Sequence, residues 1–298
     1  MRLFLIAGEP SGDALGAALM AGLKSLNPDV TFEGIGGPLM EAEGLQSRFP
    51  MEELSIMGLM EILPKYAPLK RRITETAAAV TAAAPEALIT IDSPDFCLRV
   101  ARLVRAANPG QRTIHYVAPT VWAWRPGRAA KMAPLIDHVL ALFPFEPPYM
   151  EAVGMTCDFV GHPVVTQTRA TPAEAEAFRA SNGITPDQPL LLCLPGSRRG
   201  EVTRLLPRFR DAIATLSARH PGLAIVLPTV RGVAPLVREM TGDWPTRPLI
   251  VEASDDKRAA FATASLALAA SGTVSLELAA NRVPMVIAHD FNRLTWWL

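Results

Sequence analysis

Cysteine is scarce: three thiols, Cys97, Cys157 and Cys193, in 298 residues, with no Cys-x-x-Cys pair among them. Each lies in or beside an apolar stretch, where a thiol behaves as a small hydrophobe. A disulfide framework is therefore not expected, and a reducing, cytosolic compartment fits best. Net charge is also absent, since 29 Lys and Arg balance 29 Asp and Glu. With no global field to draw nucleic acid or anionic lipid, any anion site must be a local cluster of Arg or backbone amides. The five histidines, at 115, 138, 162, 220 and 289, are scattered without nearby Cys or acid pairs, and no Asp-x-Asp triplet closes a strand. The expectation is a site without metal, with His162 shaping the Gly161-His162-Pro163 turn. Long apolar runs are missing as well. Leu3 to Ile6 is too short for a signal-peptide centre, and Ala262 to Ala280 is broken by Ser271-Gly272-Thr273 and Glu277, which excludes a spanning helix. A soluble protein is expected, with contact to a membrane surface left open. No repeat of solenoid length stands out.

What is present is a regular alternation. Short aliphatic or β-branched runs at Leu3 to Ala7, Thr31 to Ile35, Ala87 to Ile91, Thr113 to Val117, His138 to Leu142 and Cys157 to Val160 predict strands. Helical patterns separate them at Gly12 to Leu26, Ala67 to Ala83, Phe96 to Ala107 and Pro126 to Ala133. Such alternation is the mark of a parallel sheet with helices on both faces. Composition shifts to Thr, Pro, Ala and Glu around residues 166 to 176, and strands resume at Leu190 to Leu194, Ala224 to Leu227, Leu249 to Val251, Leu266 to Ala270 and Met285 to Ile287. Two α/β, doubly wound domains are predicted, at residues 1–163 and 164–298. The chain ends in Trp296-Trp297-Leu298, at helical spacing without a cap, which reads as a helix cut short and a second domain incomplete at its end.

Chemistry concentrates where strands end. The turn Ala7-Gly8-Glu9-Pro10-Ser11-Gly12-Asp13 has neither the G-x-G-x-x-G dinucleotide fingerprint nor a P-loop ending, so nicotinamide and ATP readings lose ground. Ser11 or Asp13 could serve simply as the N-cap of the next helix. Glu9 is explained least by that reading, because a carboxylate at the carboxyl end of the first strand faces the crevice where such folds bind ligands. In Leu194-Pro195-Gly196-Ser197-Arg198-Arg199-Gly200-Glu201, helix-start amides, a hydroxyl and a guanidinium suit a diphosphate. The loop Ala270-Ser271-Gly272-Thr273 offers further amides, and Glu277 could accept hydrogen bonds from a ribose diol. The competing reading is a Ser or Thr cap with an acid favoured by the helix dipole.

The segment Ile91-Asp92-Ser93-Pro94-Asp95-Phe96 sets Asp92 at a strand tip, where it could act as general base toward a sugar hydroxyl, while Asp95 could cap the next helix. The loop Tyr116 to Arg125 is dense in aromatics, suited to sugar rings, acyl chains or packing between domains, with Arg125 or Arg128 for an anionic group. Met57 to Lys65 followed by Lys70-Arg71-Arg72 is either a core helix with a basic end or a place for lipid chains with bases near headgroups.

These stretches together, with Gly36 to Met40, Phe143-Pro144-Phe145-Glu146, Val160 to Pro163 and Pro284 to Val286, resemble the lipid A disaccharide synthase family of bacterial glycosyltransferases over nearly the whole chain. The resemblance implies a GT-B architecture, two Rossmann-like domains facing a cleft. The first would take acceptor and lipid, the second the UDP-sugar. It implies transfer of the sugar of UDP-2,3-diacylglucosamine to 2,3-diacylglucosamine 1-phosphate, with inversion, no metal or other cofactor, and release of UDP, in lipid A (lipopolysaccharide) biosynthesis. By it, Asp92 is the base and Glu9 a supporting acid; Ser11 and Gly12 lie on the acceptor side. Gly196, Ser197 and Arg198 meet the diphosphate, and Ser271, Gly272, Thr273 and Glu277 complete the nucleotide site. It further implies a cytoplasmic protein in peripheral contact with the inner face of the inner membrane, no nucleic acid partner, and a homodimer where the chain continues. Cys97 stands where the family pattern usually has Asn, and family chains continue past the position of Leu298. Two weaker alternatives share the architecture: a UDP-binding module without turnover, and a UDP-sugar 2-epimerase.

Overall fold

The computed structural model describes residues 1–54, 59–123 and 125–290, with only the backbone described for 59–66. The chain divides into two compact units, Met1–Pro163 and Val164–Leu298.

The first unit is built on six parallel strands, β1 (Arg2–Ala7), β2 (Thr31–Ile35), β3 (Ala87–Ile91), β4 (Thr113–Tyr116), β5 (His138–Ala141) and β6 (Thr156–Phe159), in the order β2-β1-β3-β4-β5-β6. Side chains alternate between two cores. Phe4, Ile6 and Leu88 enter one, while Leu3, Leu5, Ala7, Ile89 and Ile91 enter the other. This two-sided burial is why the strands read as continuous apolar runs. Helices α1 (Pro10–Leu26), α2 (Pro38–Ala42), α3 (Leu59–Ala83), α4 (Pro94–Ala107), α5 (Gly127–Met132) and α6 (Pro147–Glu151) connect the strands.

Three strands, β4, β5 and β6, stop one residue short of the sequence reading, the first two for local reasons. Val117 turns to φ 88, which ends β4, and the amides of Leu142 and Phe143 turn toward the Glu146 carboxylate, which ends β5. The predicted helix from Ala67 is the latter part of the longer α3; Met57 and Gly58 lie outside the described residues.

The second unit carries β7 (Leu190–Leu194), β8 (Ala224–Pro228), β9 (Leu249–Val251), β10 (Leu266–Ala270) and β11 (Met285–Ala288), all parallel, in the order β11-β10-β7-β8-β9. Leu190, Leu192 and Leu194 face one core, Leu191 and Cys193 the other. Its helices are α7 (Pro172–Ser181), α8 (Arg199–Arg219), α9 (Ala234–Thr241), α10 (Ser254–Thr263) and α11 (Val274–Ala280). The stretch read as a composition shift holds the start of α7. A capping box begins it, with Glu174 N donating to Thr171 Oγ1 (3.3 Å) and Thr171 N to Glu174 Oε2 (2.7 Å). Both units are α/β and Rossmann-like. Residues 291–298, and with them the reading of a helix cut short, lie outside the described residues.

Candidate active site

In each sheet the order reverses at the first strand, because the chain crosses to one side and later to the other. Ligands of doubly wound folds bind outside the carboxyl ends of the strands at that switch point. In the first unit the switch lies between β1 and β3, and Ala7 pairs in register with Ile91. Glu9 and Asp92 therefore leave neighbouring strand ends. A Cβ built on Gly8 would fall 2.8 Å from Ser93 Oγ and 3.2 Å from Ser93 Cβ, so the two turns approach closely there. Asp92 and Ser93 have φ of 50° and 45°, consecutive left-handed residues without a glycine. Each such residue costs roughly 1–3 kcal/mol, and strain of this kind gathers at functional sites. The turn is held by Asp92 N donating to Tyr116 O (2.9 Å) and by the Phe96 and Cys97 amides donating to Ser93 O (3.1 and 3.0 Å).

Cys97 sits fully buried beneath this pair. Burial raises its thiol pKa well above the usual range, and the negative charges of Asp92 and then Glu9 push the same way, offset in part by a backbone hydrogen bond from Ile91. Both carboxylates thus bear on one sulfur.

Other sequence readings are corrected here. Helix α1 begins at Pro10 with Glu9 as its N-cap, without a side-chain cap, so neither Ser11 nor Asp13 caps it. Asp13 is buried at 3% exposure and caps the following helix instead: its carboxylate accepts from the amides of Gly37 (2.9 Å), Leu39 (3.0 Å) and Met40 (3.0 Å). Three orphan amides near the start of α2 are more demanding partners than α1, whose first turn opens with a proline. Asp95 likewise lies inside α4, whose N-cap is Ser93. Gly12 is buried, and a Cβ there would lie 3.5 Å from Ala7 Cβ and from Ile91 O, so this glycine faces the strands. Ser11 is half-buried at the start of α1.

In the second unit the switch lies between β7 and β10, with Leu194 paired to Ala269. The two loops picked from the sequence follow these two strands. Gly196 has φ 107°, and a Cβ there would collide with the Glu201 carboxylate. Glu201 lies within the first turn of α8. Its Oε2 accepts from the amides of Ser197 (3.3 Å) and Arg198 (3.4 Å), while its Oε1 accepts from Arg198 Nη1 at 3.0 Å. Those amides and that guanidinium therefore already converge on a carboxylate, the donor set a phosphate oxygen would use. On the neighbouring loop, Ser271 N donates to Ala288 O (3.1 Å) and Gly272 has φ 158°. Thr273 is the N-cap of α11 without a side-chain cap. Glu277 pairs with Lys257 Nζ at 2.6 Å.

Two further stretches divide. The Arg72 guanidinium binds Glu53 (2.8 Å), binds Glu75 (3.0 Å) and lies over the Phe49 ring, and Arg71 approaches Glu75 at 3.5 Å; these bases serve internal ion pairs. His115 is buried, with Nδ1 2.7 Å from Thr90 Oγ1, and burial lowers its pKa to about 4. Within the aromatic loop Trp122 is exposed, while Trp124 lies outside the described residues. Glu146, given no role in the sequence reading, is buried and gathers two amides and the Trp122 indole N–H.

Two parallel doubly wound units, each with candidate site residues at a switch point, define a two-Rossmann architecture of the GT-B type. The UDP-GlcNAc 2-epimerase of Neisseria meningitidis, solved with UDP-GlcNAc bound, superposes with a TM-score of 0.70, covering 99% of this chain and 85% of that one; at 11% identity the likeness is one of fold. The family description lipid-A-disaccharide synthetase matches residues 3–298. The lipid-A-disaccharide synthase of Ruegeria pomeroyi is 62% identical over 99% of this chain and 75% of its own length, and that of Rhodospirillum centenum 54% identical over 97% and 72%. The chain belongs to the lipid-A-disaccharide synthase family, and its enzyme class is glycosyltransferase. The high identity lies with synthases, and the epimerase reading, which shares only the fold, is not favoured.

Proposed function

We propose that this glycosyltransferase moves 2,3-diacylglucosamine from UDP to O6 of 2,3-diacylglucosamine 1-phosphate, inverting the anomeric centre to a β(1→6) disaccharide. The observation that carries the site assignment is that Glu9 and Asp92 stand on the turns that follow two paired strands, at the strained switch point of the first unit. The Asp92 carboxylate takes the proton of the acceptor hydroxyl as O6 bonds to the anomeric carbon and the carbon–oxygen bond to the diphosphate breaks, the electron pair leaving with UDP. Glu9 supports it as a neighbouring acid, with Ser11 and Gly12 lining the acceptor side.

UDP is held in the second unit. Gly196, Ser197 and Arg198 take the diphosphate, and Ser271, Gly272, Thr273 and Glu277 take the remainder of the nucleotide. Backbone amides and a guanidinium neutralise the leaving group without a metal. Supporting this, the loops named follow the two strands of the second switch point, and the Ser197 and Arg198 amides already hold a carboxylate. Among the described residues no helix is long and apolar enough to cross a membrane. We take the protein to act on the cytoplasmic face of the inner membrane by peripheral contact, and to form a homodimer where the chain continues past Leu298.

The test is an assay in detergent micelles with both acylated substrates, following disaccharide and UDP together. Equimolar appearance of the two supports the reading. Binding of UDP without disaccharide would sink it and leave a nucleotide-binding member of the family.

A further inference from the structure

The carboxyl ends of β4 and β5 carry a group of aromatic rings that the proposed transfer chemistry leaves unused. Trp122 and Phe145 are 45% and 46% exposed, and Phe143 is half-buried. Trp122 meets Phe145 edge-on with ring centres 5.2 Å apart, and Phe143 stacks on Phe145 at 5.6 Å with planes 9° apart. Singly scattered exposed hydrophobes are ordinary on any protein. These rings are organised, because one buried carboxylate holds both loops.

Glu146 Oε2 accepts from the amides of Leu142 (3.0 Å) and Phe143 (2.9 Å), and its carboxylate also accepts from the Trp122 indole. Burial pushes its pKa upward, and those three donors pull against the shift. Ordering large exposed rings costs side-chain entropy, and a buried acid costs solvation. Phe143 packs against one of the two cores of this unit, whereas Trp122 and Phe145 belong to neither. The loop that carries Trp122 starts beside the proposed base. The Asp92 amide donates to Tyr116 O, and the aromatic loop leaves the sheet at the next residue, Val117, in a left-handed conformation that is costly for a β-branched side chain.

We propose that Trp122, Phe143 and Phe145 seat an acyl chain of the acceptor substrate, and that Glu146 is the positioning residue that sets Trp122 against the Phe143–Phe145 loop. The inference rests on the reading of the protein as a transferase of acylated sugars. An acyl chain is favoured over a sugar ring because a sugar needs hydrogen-bonding side chains around its hydroxyls, whereas Trp122 and Phe145 present ring surface and the Glu146 carboxylate is buried.

The experiment compares acceptors whose acyl chains run from short to long, in micelles, with the wild type and with Trp122→Ala, Trp122→Phe and Glu146→Gln. In the wild type KM falls as the chain lengthens. Trp122→Ala raises KM for the long-chain acceptor about tenfold more than for the short-chain one, a difference equal to about 1.4 kcal/mol. Trp122→Phe recovers part of that loss, and Glu146→Gln gives a smaller loss of the same chain-length dependence. UDP affinity, read by calorimetry on each variant, checks that the second unit is intact.

Equal losses for short and long chains would overturn the proposal in favour of a sugar contact, and an unchanged long-chain KM in Trp122→Ala would overturn it outright. If the wild type transfers nothing, the parent reading fails instead. The seat is then judged by calorimetric binding of the long-chain acceptor below its micelle concentration, where an affinity unchanged by Trp122→Ala rejects it and a loss of about tenfold upholds it.

Discussion

The two switch points share a topology and differ in how they treat charge. At the β1/β3 end the backbone is strained at two residues that are not glycine, and the side chains presented are carboxylates over a buried thiol. At the β7/β10 end the positive φ values fall on Gly196 and Gly272, and main-chain N–H groups converge with a guanidinium. A backbone bent through glycine can approach a ligand closely and offers amides, whereas a backbone bent through Asp and Ser aims side chains. The first arrangement suits proton transfer and the second suits an anionic leaving group.

The largest expected effect breaks the first half of this contrast. Asp92→Asn keeps the shape and removes the base, so kcat falls by about 10²–10⁴, the range of general base catalysis, while UDP affinity holds. Single-turnover rates beside calorimetry with UDP check it, and full turnover in the variant would reassign the base. Cys97→Asn adds a finer question, since the buried thiol on which both acids bear is replaced by a hydrogen-bonding amide.

Acid should strike the first unit through its core. His115 is buried with its pKa lowered to about 4 from 6.5, so unfolding lets it bind a proton. For a base with a depressed folded pKa the stability is present above pH 6.5 and is lost as the pH falls toward about 4, because the unfolded chain binds more protons across that window. The shift corresponds to about 3 kcal/mol. Hydrogen exchange at pH 7 and pH 4.5 should show β3 and β4 losing protection, and His115→Gln, which cannot titrate, should lessen the pH slope. An unchanged slope would mean that another group carries the acid sensitivity.

How much of this was legible follows from where each signal lives. Ala87–Ile91 and Leu190–Leu194 were legible to the residue because strands buried on both faces read as unbroken apolar runs. The loops at both switch points stood out because glycine, proline and hydroxyl residues directly follow such runs. Asp13 was assigned to the wrong helix since its partners begin at Gly37, 24 residues away, a choice made by tertiary packing. Glu146 left no pattern at all, because two of its partners are main-chain amides that every residue possesses. The Thr171–Glu174 capping box was the opposite case, a local signature hidden by its resemblance to linker composition.

Removing the guanidinium tests the second half of the contrast. Arg198→Ala deletes a charge-assisted contact to the diphosphate and releases Glu201 Oε1, so UDP affinity should fall by about 10–100-fold, in line with roughly 1.5–3 kcal/mol for hydrogen bonds to charged groups. Asp92→Asn should leave that affinity within error. A loss shared equally by both variants would erase the division of labour between the switch points.

The sharpest comparison with the smallest effect sets Gly196 against Gly12. At Gly196 the φ of 107° is unfavourable for any other residue, and a Cβ meets the Glu201 carboxylate that organises the Ser197 and Arg198 amides. Gly196→Ala should therefore destabilise the second unit by about 1–3 kcal/mol and weaken UDP binding along with it. Gly12 sits in the first turns of α1 with its missing Cβ at ordinary van der Waals distance, 3.5 Å, from Ala7 and Ile91. Gly12→Ala should leave thermal stability unchanged or raise it by about 0.5–1 kcal/mol through helix propensity. If that variant folds normally yet loses transfer, the helix must be displaced by the added methyl, and Gly12 serves the acceptor side through close packing of α1 on the strand ends. If transfer persists, its glycine is a packing convenience, and the acceptor side rests on Glu9, Ser11 and Asp92.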